Sequence, residues 1–195
     1  MKLFIKEQIK SSLSVKQLML SNEQFVETIA QIADAAIKVY QQGHKLLLAG
    51  NGGSAADAQH MAGELVNRFV FDRKPLPAIA LTANSSVLTA IGNDYSYDEV
   101  FSRQIEAEGN AGDMFIGIST SGQSSNILNA LHMAKQKGMI TVGLTGQTGE
   151  KLANLCDYSI SVPSIETPRI QEVHILIIHI LCALIEKTLF GQGKK

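Results

Sequence analysis

The sequence predicts an α/β fold: a parallel five-stranded sheet flanked by helices, preceded by a helical extension. Three observations predict it. From Lys45 onward, short apolar runs alternate with segments of helical periodicity, the pattern of a parallel sheet covered on both faces. Two of those runs end in turns rich in Gly and Ser that open helices, at residues 50–54 and 119–125. Residues 4–42 carry helical periodicity throughout.

Each element has its own justification. Leu13, Val15, Leu18 and Leu20 belong to a first helix. Ser21 or Asn22 can cap a second, which carries Phe25, Ile29, Ile32, Ala36 and Val39 and stops at Gly43. Strands are expected at 45–49, 76–81, 113–118, 139–144 and 158–162. The intervening helices are expected near 54–68, 85–92, 97–107, 124–137 and 149–154, and one long helix from Arg169 to about Phe190. No internal linker or low-complexity segment interrupts this order. A single domain is expected over 1–195, with 1–43 as leading helices and 44–195 as the α/β core.

Composition narrows the function. The chain has 195 residues, 45% hydrophobic and 18% charged, enough for one sizeable core. A formal net charge of −1 gives no electrostatic case for nucleic acid or an acidic membrane. Cys156 and Cys182 lack metal-type spacing and read as small buried hydrophobes. The start of the chain turns polar too early for a secretory signal, and the apolar stretch 173–185 is too short to span a bilayer. A cytoplasmic protein is expected.

The two Gly/Ser turns carry the first chemical signal. In open α/β sheets, ligands bind beyond the carboxyl ends of strands, and both turns leave such ends. Glycines at 50, 52 and 53 allow close approach of the backbone to a ligand, although a plain tight turn would use them too. The spacing is neither a dinucleotide nor a P-loop fingerprint. In the second turn, Ser119, Thr120, Ser121 and Ser124 offer more hydroxyls than capping requires. With the free N–H groups of a helix N-terminus they suit a phosphate without any lysine or arginine. A phosphorylated small molecule held between the turns is the expectation.

A second signal lies on two helices. His60 and Glu64 are i and i+4, hence neighbours on one face, which Asp57 and Arg68 extend. A solvated His–Glu pair would look the same. The last helix is apolar apart from Arg169, Gln171, Glu172, His174 and His179 at its centre and start, and polar groups there are costly if buried unpaired. His60, Glu64, Gln171 and His179 can meet as N and O ligands of a divalent metal such as zinc, or work as an acid/base set. Spacing alone does not bring the two helices together. Asn93 and Asp94 fit either a loop that caps the next helix or a contact to sugar hydroxyls.

In their order and spacing these motifs resemble the sugar isomerase (SIS) domain and, within it, the phosphoheptose isomerase family. The matching pieces are Gly50-Asn-Gly-Gly-Ser-Ala-Ala-Asp-Ala-Gln-His60, Glu64, Arg68, Ala90-Ile-Gly-Asn-Asp94, Gly117-Ile-Ser-Thr-Ser-Gly122, Arg169-Ile-Gln-Glu-Val-His174 and His179. The resemblance implies a homotetramer with sites at subunit boundaries, which would give the leading helices a burial partner. It implies that Asn51, Gly52, Gly53, Ser54 and Arg68 line the substrate site, and that Asn93 and Asp94 contact the sugar. Ser119, Thr120, Ser121 and Ser124 would hold the phosphate. His60, Glu64, Gln171 and His179 would ligate zinc, with Glu64 and Gln171 also touching substrate.

The implied reaction interconverts sedoheptulose 7-phosphate and D-glycero-D-manno-heptose 7-phosphate, the first step toward ADP- or GDP-heptose precursors. Glu64 would shuttle the carbon proton. His179 would move the oxygen proton or assist ring opening, a role that conflicts with its role as a zinc ligand. The rival reading is a non-catalytic SIS-domain relative that binds the replication initiator DnaA. Such a relative departs from the pattern at the catalytic glutamate and final histidine, and Glu64 and His179 are both present here. A sugar-phosphate-sensing regulatory domain is a third reading, but such domains are usually fused to a DNA-binding module, and none is expected here.

Overall fold

Asn22 decides how the chain begins. Its side chain accepts a hydrogen bond from the Phe25 N–H at 3.2 Å and so starts a second helix after the first ends at Leu20. Helices α1 (Lys2–Leu20) and α2 (Glu23–Gln41) form the N-terminal extension. Gly43, at φ 81°, then turns the chain into the sheet. The structure is a computed structural model that describes residues 1–191. The last residues of the expected domain, 192–195, lie outside the described residues.

The core alternates as expected: β1 (Leu46–Gly50), α3 (Gly53–Val66), β2 (Ala78–Ala80), α4 (Ser85–Asp94), a 3-10 turn (Tyr97–Glu99), α5 (Ser102–Glu108) and β3 (Met114–Ser119). There follow α6 (Ser125–Gln136), β4 (Ile140–Gly146), α7 (Glu150–Ala153), β5 (Tyr158–Val162) and α8 (Thr167–Phe190). Every strand pair is parallel and the spatial order is β2-β1-β3-β4-β5. The order reverses between β1 and β3, so the fold's topological switch point lies there.

Side-chain alternation along each strand builds two cores. Leu46, Leu48, Met114, Ile116, Val142 and Leu144 face α2, α3 and α8. Leu47, Ala49 and Phe115 face the other way, against Phe101, Ile105, Ile127, Leu131 and Leu152.

Three expectations change. The segment expected as one helix at 97–107 is a 3-10 turn followed by α5. Helix α3 stops at Val66, so Arg68 lies beyond it and does not extend the His60 and Glu64 face. The stretch 173–185 is only part of α8, whose 24 residues are long and apolar enough, by length and composition, to cross a membrane. Core placement accounts for part of that hydropathy. α8 packs on α1, α2, α3 and β4 and buries Ile170, Val173, Ile177, Ile178, Leu181 and Ile185.

Candidate active site

The two Gly/Ser turns sit side by side at the switch point, because Gly50 of β1 is in register with Ile118 of β3. In the first turn Gly52 is the N-cap of α3 with φ 55°, a left-handed conformation that costs glycine little. Gly53 lies directly under the end of the Gln171 side chain. A Cβ there would lie 2.4 Å from Nε2 of Gln171, so the α8 side chain rests directly on the turn. Ser54 is buried just inside α3.

In the second turn Ser119, the last residue of β3, is buried, and its hydroxyl lies 3.1 Å from that of Ser124. Gly122 has φ 64° and donates its N–H to the Ser119 carbonyl. Ser121 accepts from the Gln123 N–H at 3.2 Å. Ser124 is the N-cap of α6, yet its hydroxyl makes no capping bond. The first N–H groups of α6 are therefore not taken by that side chain, which suits an anion at the positive end of a helix dipole.

A pair of asparagines ties the two turns together. Asn51 Nδ2 donates to Asn126 Oδ1 and Asn126 Nδ2 donates to Asn51 Oδ1, both at 2.9 Å. The Tyr97 hydroxyl donates to Asn51 Oδ1 at 3.4 Å. Asn126 closes the serine run in the sequence, but nothing in its spacing says that it faces Asn51. Asn93 and Asp94 lie in the last turn of α4, bonded to each other at 2.8 Å and exposed. Of the two readings given for them, the cap on the next helix does not hold, because Ser96 occupies that position.

Helices α3 and α8 run in parallel, since Gly53 meets Gln171 and His60 meets His179. His60 Nε2 and His179 Nε2 are 2.9 Å apart. One must carry the proton and the other accept it, so the two rings hold opposite tautomers when neutral. Glu64 Oε1 stands 3.4 Å from His60 Nε2. Phe69 lies tilted beside His179, with ring centres 5.7 Å apart. The structure therefore brings His60, Glu64 and His179 together. Gln171 lies about two helical turns away along the contact. It lines an open cavity of about 400 Å³ with Gly53, Asp57, Glu172 and Ile175. Burial pushes the Asp57 carboxyl up to about 6. Among the described residues, no three His, Cys, Asp or Glu side chains already form a metal-holding group.

A buried ion pair that sequence reasoning missed secures the end of α3. Glu186 of α8 accepts the backbone N–H groups of Phe69, Val70 and Phe71 at 2.8, 2.7 and 3.3 Å. Arg73 Nε donates to it at 3.0 Å. Arg73 also donates to the carbonyls of Leu65 and Glu64 at 2.6 and 2.9 Å. Burial alone would raise the Glu186 carboxyl, but the three N–H groups and Arg73 outweigh it and hold it below the ordinary glutamate range.

The remaining histidines and cysteines stand outside this arrangement. His44 lies 3.6 Å from Asp113, and His132 is exposed on α6. His174 is buried with Nε2 at 3.3 Å from the Thr145 carbonyl. Burial pushes both Cys156 and Cys182 up to about 12, which makes poor thiolates.

A doubly wound sheet with a hydroxyl-rich anion loop at its switch point defines the class, a SIS domain, and the family described as SIS domain matches residues 13–146. The phosphoheptose isomerase of Aneurinibacillus thermoaerophilus is 64% identical over 96% of this chain and 94% of its own length. The solved phosphoheptose isomerase from Neisseria gonorrhoeae superposes with a TM-score of 0.89 at 41% identity, covering 95% of this chain and 98% of the other. That from Francisella tularensis superposes with a TM-score of 0.91 at 39% identity, covering 96% and 99%. The chain belongs to the phosphoheptose isomerase family of SIS domains. None of these relatives lends support to the DnaA-binding reading.

Proposed function

We propose that the chain interconverts sedoheptulose 7-phosphate and D-glycero-D-manno-heptose 7-phosphate, feeding the synthesis of nucleotide-activated heptose in the cytoplasm. The observation that carries this reading is the meeting of Glu64 with His60 and His179 between α3 and α8. His60 lies about 10 Å along α3 from the Gly turn. The phosphate is assigned to Ser119, Thr120, Ser121, Ser124 and the start of α6. The sugar is assigned to Asn51, Gly52, Gly53, Ser54, Arg68, Asn93, Asp94 and Gln171. Binding energy from the remote phosphate orients the reacting end.

Glu64 is the base. It takes a proton from C1 of the open-chain ketose, leaving an enediolate across C1 and C2, and returns the proton to C2 to give the aldose. A second proton moves from the oxygen on C1 to the oxygen on C2. His179, whose Nε2 stands 2.9 Å from His60 Nε2, is assigned to relay it, a role open to that nitrogen only when it carries no metal.

Zinc is assigned to His60, Glu64, Gln171 and His179. The donor chemistry fits in part: His60 Nε2 stands 2.9 Å from His179 Nε2 and 3.4 Å from Glu64 Oε1, all zinc-ligand types, whereas Gln171 rests on Gly53 about two helical turns away. When bound, zinc supplies Lewis-acid polarisation of a carbonyl oxygen.

The reading includes a homotetramer. α1, α2 and α8 present an apolar groove of about 410 Å³ lined by Met19, Phe25, Val26, Ile29, Ile180 and Leu184, and a second copy of the chain is its assigned cover. Light scattering gives the mass directly.

The test of function is proton NMR of sedoheptulose 7-phosphate incubated with the protein, with and without zinc. Appearance of aldose anomeric signals is expected. No aldose under any metal condition would remove the assignment.

A further inference from the structure

Asn126 has no part in the roles assigned above, and its environment gives it one. It is a polar side chain 3% exposed in the first turn of α6. Both of its side-chain hydrogen bonds leave its own helix and end on the amide of Asn51. An asparagine kept only for packing would not need both bonds aimed at one residue across the switch point.

The first turn needs such an anchor. Residues 50–53 contain three glycines, which leave the backbone many conformations in isolation. Asn51 is the one residue among them with a side chain to hold. Its amide has two donors and two acceptor lone pairs. Asn126 takes one donor and one lone pair, and Tyr97 takes the other lone pair. One Nδ2–H of Asn51 is left, on a residue that is half-buried and so reachable by a ligand. Asn126 itself is too deeply buried to touch substrate.

We infer that Asn126 is a positioning residue: it locks the Asn51 amide so that one N–H faces the sugar, and so couples that turn to the serine loop at the start of α6. This rests on the isomerase reading. The coupling is mechanical and local. Residue 126 follows Ser124 by two positions, so whatever seats the serine loop also seats the partner of Asn51.

Steady-state kinetics on the zinc-supplied full chain test it, using sedoheptulose 7-phosphate as substrate and inorganic phosphate as competitive probe. Four proteins form a cycle: wild type, Asn51→Ala, Asn126→Ala and the double variant. Asn126→Ala should lower kcat about 10- to 100-fold and leave the inhibition constant of inorganic phosphate within about twofold. The double variant should lose no more than Asn51→Ala alone, because residues acting through one contact are not additive. A merely structural role would not produce that coupling in kcat. Should Asn126→Ala fail to fold, the neutral Asn126→Ser carries the test, since its short hydroxyl cannot make both bonds to Asn51 and adds no charge beside the serine loop. Losses that multiply in the double variant, an unchanged kcat, or a phosphate constant weakened as much as kcat would each overturn the inference while the enzyme stands. Absence of wild-type turnover would overturn the isomerase reading and this inference with it.

Discussion

Two polar constellations join α3 and its following loop to α8, and they are built in opposite ways. Near the end of α8, Arg73 and Glu186 are 2% and 1% exposed as side chains, and both are surrounded by partners. Two turns earlier, His60 and Glu64 are 43% and 24% exposed. His60, Glu64 and His179 have little but one another for partners. A buried pair with every polar atom satisfied holds structure, because breaking it strands a charge. An open set with spare donors and acceptors is free to take a ligand or a proton. One helix pair thus carries both a fixed clamp and the proposed reactive centre. The clamp serves the centre, since Arg73 holds the Glu64 carbonyl and the loop that sets Phe69 beside His179.

The comparison breaks most sharply at Glu64. Glu64→Gln should reduce kcat by about 10²- to 10⁴-fold with little change in the thermal melt, because the side chain is not part of the buried network. Paired NMR assays and circular-dichroism melts measure both. A melt that collapses together with the activity would erase the distinction between the two regions.

Arg73→Met should do the reverse. It leaves Glu186 buried without its cation, at a cost of about 3–5 kcal/mol. Replacing both members, as in Arg73→Met with Glu186→Leu, should recover none of that loss, because the N–H groups of Phe69, Val70 and Phe71 then lose their acceptor. Urea unfolding of the three proteins measures it, and a single variant as stable as wild type would show that the clamp is ornamental.

Acid separates the buried groups in order. Burial pushes His174 down to about 4, so the fold keeps it neutral while the unfolded chain protonates near its ordinary value of about 6.5. Its contribution is therefore complete above about pH 6.5 and is lost as pH falls toward 4, on the order of 3 kcal/mol in all. Glu186 is also depressed. Its contribution is complete above the ordinary glutamate value of about 4.3 and is lost only below that, as pH falls through its lowered folded value. Urea midpoints at neutral pH and near pH 5 should fall more in wild type than in His174→Gln, and equal slopes would reassign the effect.

The smallest effect belongs to the half-buried pair of Lys16 and Glu172, whose long 3.9 Å separation makes it weak. Lys16→Ala should change stability by less than about 1 kcal/mol, and a larger loss in the same unfolding assay would mean that this pair also works as a clamp.

Much of this was legible in the chain. The strand–turn–helix order, the second Gly/Ser turn and the His60 and Glu64 pair follow from local pattern, and each survives in the structure. Arg68 was misplaced because the pattern carries on past Val66 while the helix does not: Arg73 and Glu186 capture the backbone of the next residues instead. Asn126 and Glu186 were invisible for another reason. Their partners lie 75 and at least 113 residues away in sequence, and no local spacing encodes a contact at that range.

The sequence by itself determined the alternation of strands and helices, the glycines that let backbone approach a ligand, and the types of donor available. Those are properties of neighbouring residues, set by periodicity of side-chain direction and by local backbone freedom. Only the tertiary structure decided that α3 and α8 run in parallel, that His179 faces His60 while Gln171 rests on Gly53, and that two asparagines join the turns. The strand order that creates the switch point and the packing of α8 on the sheet fix those distances, and both are long-range consequences of burying the two cores.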